Sequence, residues 1–146
     1  MASFVTMPKG LAMQLSALTD GTEPPATAPT VMLMTDAHDF DAASSAEFVA
    51  DVVADEAAPT GYARQPLAFA SGITIDSNGR AVIDWAATDF GLLGGAVDAT
   101  LGGCYILDNT GDDATSRLLY AVPFDEAKTT DGTTVIIDPT ISRAAP

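Results

Sequence analysis

Residues 104–124 read CYILDNTGDDATSRLLYAVPF. Two apolar, aromatic-bearing runs (104–107 and 118–124) flank a stretch of Asp, Asn, Thr and Gly. The first composition suits a pleated, buried strand and the second suits a tight connection, so the stretch predicts a β-hairpin. Its loop carries Asp108, Asn109, Asp112 and Asp113. Their oxygens lie close in sequence and Gly111 permits a sharp turn, which makes Asp108, Asp112 and Asp113 the chain's Ca²⁺ candidates. The same residue types are also what any exposed turn selects. One hairpin loop supplies no opposing wall for a catalytic pair of carboxylates, so a solvated turn is the preferred reading.

Working outward, the second half holds more short runs of the same kind: GYARQPLAFA, GITID, RAVIDW, GCYILD, RLLYAVPF and TTVIID. Asn78–Gly79 lies between two of them and predicts a tight hairpin turn. Asp131–Gly132 precedes the last. Residues 91–103, with five glycines, read as a flexible or tightly curved loop. Short runs broken by Gly, Asn and Asp predict a mainly β fold, an antiparallel β-sandwich or barrel-like domain.

The first half is less regular. Leu11, Leu15 and Leu18 share one helical face over residues 9–18, and residues 24–29, rich in proline, read as a loop or extended arm. TVMLMT (30–35) reads as a buried strand. Ser44 and Glu47 have capping-box spacing, and Phe48, Val49, Val52 and Val53 form a stripe, which together predict a helix over 45–57 ended by Pro59 and Gly61. One domain over 1–146 follows, with an N-terminal segment and arm at 1–29, a β-rich core at 30–138 and a tail at 139–146.

Composition narrows the function classes. A chain of 146 residues, 47% hydrophobic, is long and apolar enough to bury a core without disulfides or a metal. Six Lys and Arg stand against 20 Asp and Glu, a formal charge of −14. That surface repels phosphate backbones and anionic membranes, so neither nucleic acid nor membrane is an expected partner. No basic leader precedes an apolar core and no run suits a spanning helix, which predicts a soluble chain made in a cytoplasm. Cys104, alone and in an apolar run, reads as a small buried hydrophobe. The glycines of 91–103 match neither a phosphate-cradling loop nor a dinucleotide fingerprint.

His38 is the sole histidine, among Asp36, Asp39 and Asp41. A Ser–His–Asp triad or a metal site would have to run through it. The acidic spacing is not that of a Ca²⁺ loop, and a solvated connection is the expectation. Tyr62, Trp85 and Phe90 read as core or edge fillers, and Tyr105 and Tyr120 as a cross-strand aromatic pair. No catalytic residue and no cofactor is expected.

The order TVMLMTDAHDF, FVADVVADEAAPTGYARQPLA, TIDSNGRAVIDWAATDF, GCYILDNTGDDATSRLLYAVPF and TTDGTTVIID resembles small virion structural proteins of tailed bacteriophages. The likeness spans about residues 30–138 and is strongest in Thr60-Gly61-Tyr62-Ala63-Arg64 and in 105–124. The arm at 24–29 and the glycine loop at 91–103 depart from it. The resemblance implies a non-enzymatic decoration or cement protein on the capsid exterior, assembled in the host cytoplasm. Its partners would be the major capsid protein and copies of itself, in a trimer for instance. Two other readings are a tail- or fibre-associated module contacting a receptor or carbohydrate, and a lectin- or hydrolase-like accessory using Asp108, Asp112 and Asp113.

Overall fold

The computed structural model describes residues 5–18, 26–75, 77, 81–138 and 140–143. The fold is mainly β. Strands β1 (Val5–Thr6), β2 (Pro29–Thr35), β3 (Gln65–Pro66), β7 (Thr100–Asp108) and β8 (Arg117–Thr129) form one antiparallel sheet in the order β1-β8-β7-β2-β3. Strands β6 (Thr88–Leu93) and β9 (Thr133–Ile137) make a two-stranded ribbon. Strands β4 (Phe69–Ile75), β5 (Ala81–Trp85) and β10 (Thr140–Arg143) make a third sheet in the order β10-β5-β4. The arrangement is sandwich-like, and the sheets do not close into a barrel.

Both faces of the five-stranded sheet are covered, which explains why β2 has no polar alternation. Val31 and Leu33 point to one side with Cys104, Ile106 and Leu119, against Phe90, Leu93 and Val135 of the ribbon. Met32 and Met34 point to the other with Tyr105, Leu107 and Leu118, against Val49 and Val52. The hairpin β7–β8 is therefore the spine of the molecule. Tyr105 pairs with Ala121 and Ile106 with Tyr120, so the two tyrosines fall on opposite faces rather than on each other. That corrects the cross-strand pairing expected from their positions beside the loop.

Helix α1 (Pro8–Leu18) begins on a proline, whose fixed φ and missing N–H suit the first helical position. Of the predicted leucine face, Leu11 is 38% exposed. Gly10 meets β8, where a Cβ would collide with the Leu119 carbonyl. A glycine inside a helix costs up to about 1 kcal/mol against alanine, and here, in the first turn, it permits the close approach.

No α-helix forms over 45–57. Two 3₁₀ turns, Val49–Asp51 and Val53–Asp55, take its place. The backbone of this segment is committed elsewhere: Leu118 N–H donates to Glu47 O, while Val49 and Ala50 N–H donate to Ser116 O and Asp113 O. Groups used in that pairing cannot also close helical turns. Asp51, not Ser44, does the capping, accepting from the N–H groups of Glu47 and Phe48 at 3.0 Å each. Those bonds, Phe48's first, hold its carboxyl below the usual range.

Three further expectations meet the structure. Residues 88–93, whose second half fell in the glycine loop expected over 91–103, are strand β6, with a register irregularity between Asp89 and Leu92. Residues 140–143 of the expected tail pair with β5. The Asn78–Gly79 turn lies outside the described residues, as do Pro24 and Pro25 of the proline-rich arm; β4 and β5 on either side of the turn pair antiparallel.

Candidate functional site

The loop between β7 and β8 begins at Asp108, which pairs in register with Arg117. Asp108 is buried, and its Oδ2 accepts from Arg117 Nη2 at 2.7 Å. Its Oδ1 accepts from the N–H groups of Thr27 and Ala28 at 2.9 Å each. Burial pushes the carboxyl upward, but the bonds from Arg117, Ala28 and Thr27 outweigh it and hold the pKa below its ordinary value. The last residues of the proline-rich stretch are thus tied to this chain's own hairpin.

Asp112 serves the loop itself. Its Oδ1 accepts from Ala114 N–H at 2.9 Å, and its carbonyl accepts from the N–H and hydroxyl of Ser116. Gly111 takes φ +87°, the left-handed conformation such a turn requires. Asn109 Oδ1 accepts from Gly111 N–H at 2.9 Å, closing an Asx turn.

Asp113 reaches away to Arg64, whose Nη1 donates to Oδ1 at 2.7 Å. The other side of that guanidinium donates to Glu56, Nε to Oε1 at 2.8 Å and Nη2 to Oε2 at 2.6 Å. Two carboxylates on one fork are the geometry in which arginine hydrogen bonds best. They raise the Arg64 pKa, Glu56 chiefly and Asp113 next. Tyr62 joins the network: its hydroxyl donates to Glu56 Oε1 at 2.8 Å and accepts from Leu33 N–H at 3.0 Å. Burial and the Glu56 charge push its phenol well upward. The network ties β2, residues 56–64 and the acidic loop into one body.

The three Ca²⁺ candidates are therefore not brought together. Asp108 faces Arg117, Asp112 faces its own loop and Asp113 faces Arg64. Among the described residues, no three His, Cys, Asp or Glu side chains gather in a way that could hold a metal. The loop is a clamp with a solvated tip at residues 110–112.

His38 does not lie in a solvated connection. It is 9% exposed, with Nδ1 at 2.9 Å from Asp55 Oδ2 and Nε2 at 2.9 Å from the Tyr105 hydroxyl. A carboxylate only accepts, so Nδ1 carries a proton; in the neutral ring Nε2 then accepts from Tyr105. Phe40 packs edge-on against the ring at 4.6 Å. The order carboxylate, imidazole, hydroxyl matches that of a hydrolytic triad. The hydroxyl, however, belongs to a fully buried tyrosine, whose pKa burial and the Asp55 charge push up to about 12. With Tyr105 0% exposed, the hydroxyl does not meet solvent. Asp36, Asp39 and Asp41 stay exposed at the surface of this turn.

Cys104 is buried in the core, and burial pushes its thiol up to about 12. Trp85 and Phe90 are core residues, and Tyr62 stacks on Phe90 at 6.0 Å. Glu56 stands in no sequence motif, and Arg64 stands only in the run 60–64, which assigned it no role. The one available signal is scarcity: with six Lys and Arg against 20 Asp and Glu, each arginine is expected to pair with some acid, but which acid depends on the fold.

No protein-family model matches the chain, and no curated protein or solved structure is significantly similar to it. Among the described residues, no helix is long and apolar enough to cross a membrane.

Proposed function

We propose that this chain is a non-enzymatic structural subunit of a tailed-bacteriophage virion, a decoration or cement protein on the outside of the major capsid protein shell. The observation that carries the reading is the state of the acidic hairpin loop, the strongest sequence candidate for chemistry. Two of its aspartates are neutralised by this chain's own arginines and the third caps its own turn. On this reading the outer surface does the work. A net charge of −14 supports an exterior position, away from a packaged genome. The resemblance of residues 30–138 to small virion proteins supplies the particle. On this reading the chain binds the shell and other copies of itself, and strengthens the lattice.

The test is electron microscopy of particles from the source lysate, labelled with gold-tagged antibody against this chain. Gold spread over heads is the expected result. Gold confined to tails transfers the chain to a receptor-binding module, and particles without gold remove it from the virion.

A further inference from the structure

The ribbon β6–β9 has two unlike faces. One sends Phe90, Leu93 and Val135 into the core. The other leaves Leu92 67% exposed and Ile136 58% exposed. Asp89 stands opposite Ile136 and Thr134 opposite Leu92, which makes Leu92 and Ile136 diagonal neighbours on the outer face. Val97, 58% exposed, extends the patch. Its segment is fastened there: Val97 N–H donates to Thr60 Oγ1 at 2.9 Å and its carbonyl accepts from Thr60 N–H at 2.9 Å. The next residue, Gly61, lies against the Leu92 carbonyl.

Grouped apolar side chains with a polar rim mark interaction surfaces. Along the ribbon's own segments the charges have one sign. Asp89, Asp98 and Asp131 are exposed, and residues 86–100 and 130–138 contain no Lys or Arg. Asp89 and Asp98 each accept one backbone N–H, from Gly91 and Gly95, which positions the carboxylates without cancelling their charge. The contrast with Asp108 and Asp113, each matched by an arginine, is direct.

Resting on the reading above, we propose that this ribbon face docks on a partner protein whose contact surface has an apolar centre and a Lys/Arg rim, namely the outer face of the capsid shell. Charge decides the occupant. A second copy meeting the face symmetrically would set Asp89, Asp98 and Asp131 against the same residues of its neighbour, and like charges in a contact oppose association. A basic-rimmed partner turns the same groups into attraction. Because the patch is small, much of the attachment is electrostatic and weakens with salt.

The test is pelleting of the purified full chain with shells from which it has been stripped. The wild type should bind, with affinity falling at least tenfold as salt rises to about 0.5 M. Leu92→Asp combined with Ile136→Asp should weaken binding about 100-fold, the scale of losing a central apolar anchor. Val97→Asp, outside the strands, should lower it in the same direction, while Ile75→Asp, exposed on β4, should bind as wild type. Double-variant binding equal to wild type overturns the ribbon face and leaves the shell reading standing. Wild type that fails to bind shells overturns the shell reading and the docking proposal with it. Sedimentation of the chain alone showing a wild-type dimer abolished by the double variant assigns the face to self-association and overturns the proposal.

Discussion

The hairpin loop at 108–116 and the ribbon β6–β9 are both acidic, yet their carboxylates do different things. In the loop, Asp108 and Asp113 are each matched to a guanidinium and Asp112 to backbone. On the ribbon, Asp89, Asp98 and Asp131 border exposed Leu92, Ile136 and Val97 with no cation in either segment. The comparison teaches that a count of acids does not mark a site. What marks it is whether the chain itself supplies the countercharge.

The first way to break that comparison is to unbalance the loop. Arg117→Met leaves Asp108 buried without its cation, and breaking a buried pair from one side costs about 3–5 kcal/mol. Urea unfolding should show that loss at neutral pH. The folded pKa of Asp108 lies below the usual 3.8, so its stabilising contribution is full above the unfolded carboxylate's value near ~4 and is lost as pH falls through the lower folded value. The wild-type and variant curves should therefore converge in acid. A gap that persists there would assign the loss to packing of the arginine.

Arg64→Met should cost less, about 1–3 kcal/mol, because Asp113 is partly open to water. In a double-mutant cycle with Asp113→Asn the coupling should fall at about 0.5–3 kcal/mol. Additive losses would show that the two groups are neighbours without being a clamp. The ribbon should respond least: Leu92→Asp with Ile136→Asp should leave folding stability within about 0.5 kcal/mol per site, as surface changes do. A larger loss would mean that the outer face is part of the core.

Much of the fold was legible where burial was extreme. VMLM within β2 and the apolar runs of β7 and β8 read as strands because both faces of the sheet are covered and no polar alternation interrupts them. Strand β6 was harder, since it is half exposed and carries Gly91 at its irregularity. The helix expected over 45–57 had the right stripe, but its backbone pairs with residues 113–118, which no local pattern records. The clamp was illegible for the same reason: Arg64 and Asp113 are 49 residues apart. His38 looked solvated among aspartates, and only Asp55 and Tyr105, 17 and 67 residues away, give its ring a buried place.

The acidic loop is thus a clamp and not a ligand site. Denaturant unfolding with and without millimolar Ca²⁺ tests it most directly, on the wild type and on Asp112→Ala with Asp113→Ala. An ion bound at 100 times its Kd adds about 2.7 kcal/mol of stability. The wild-type midpoint should not move with Ca²⁺, and the double variant should be less stable by the same amount in both buffers. A wild-type midpoint that rises in Ca²⁺, with the rise absent from the variant, would contradict it and make those aspartates a binding site.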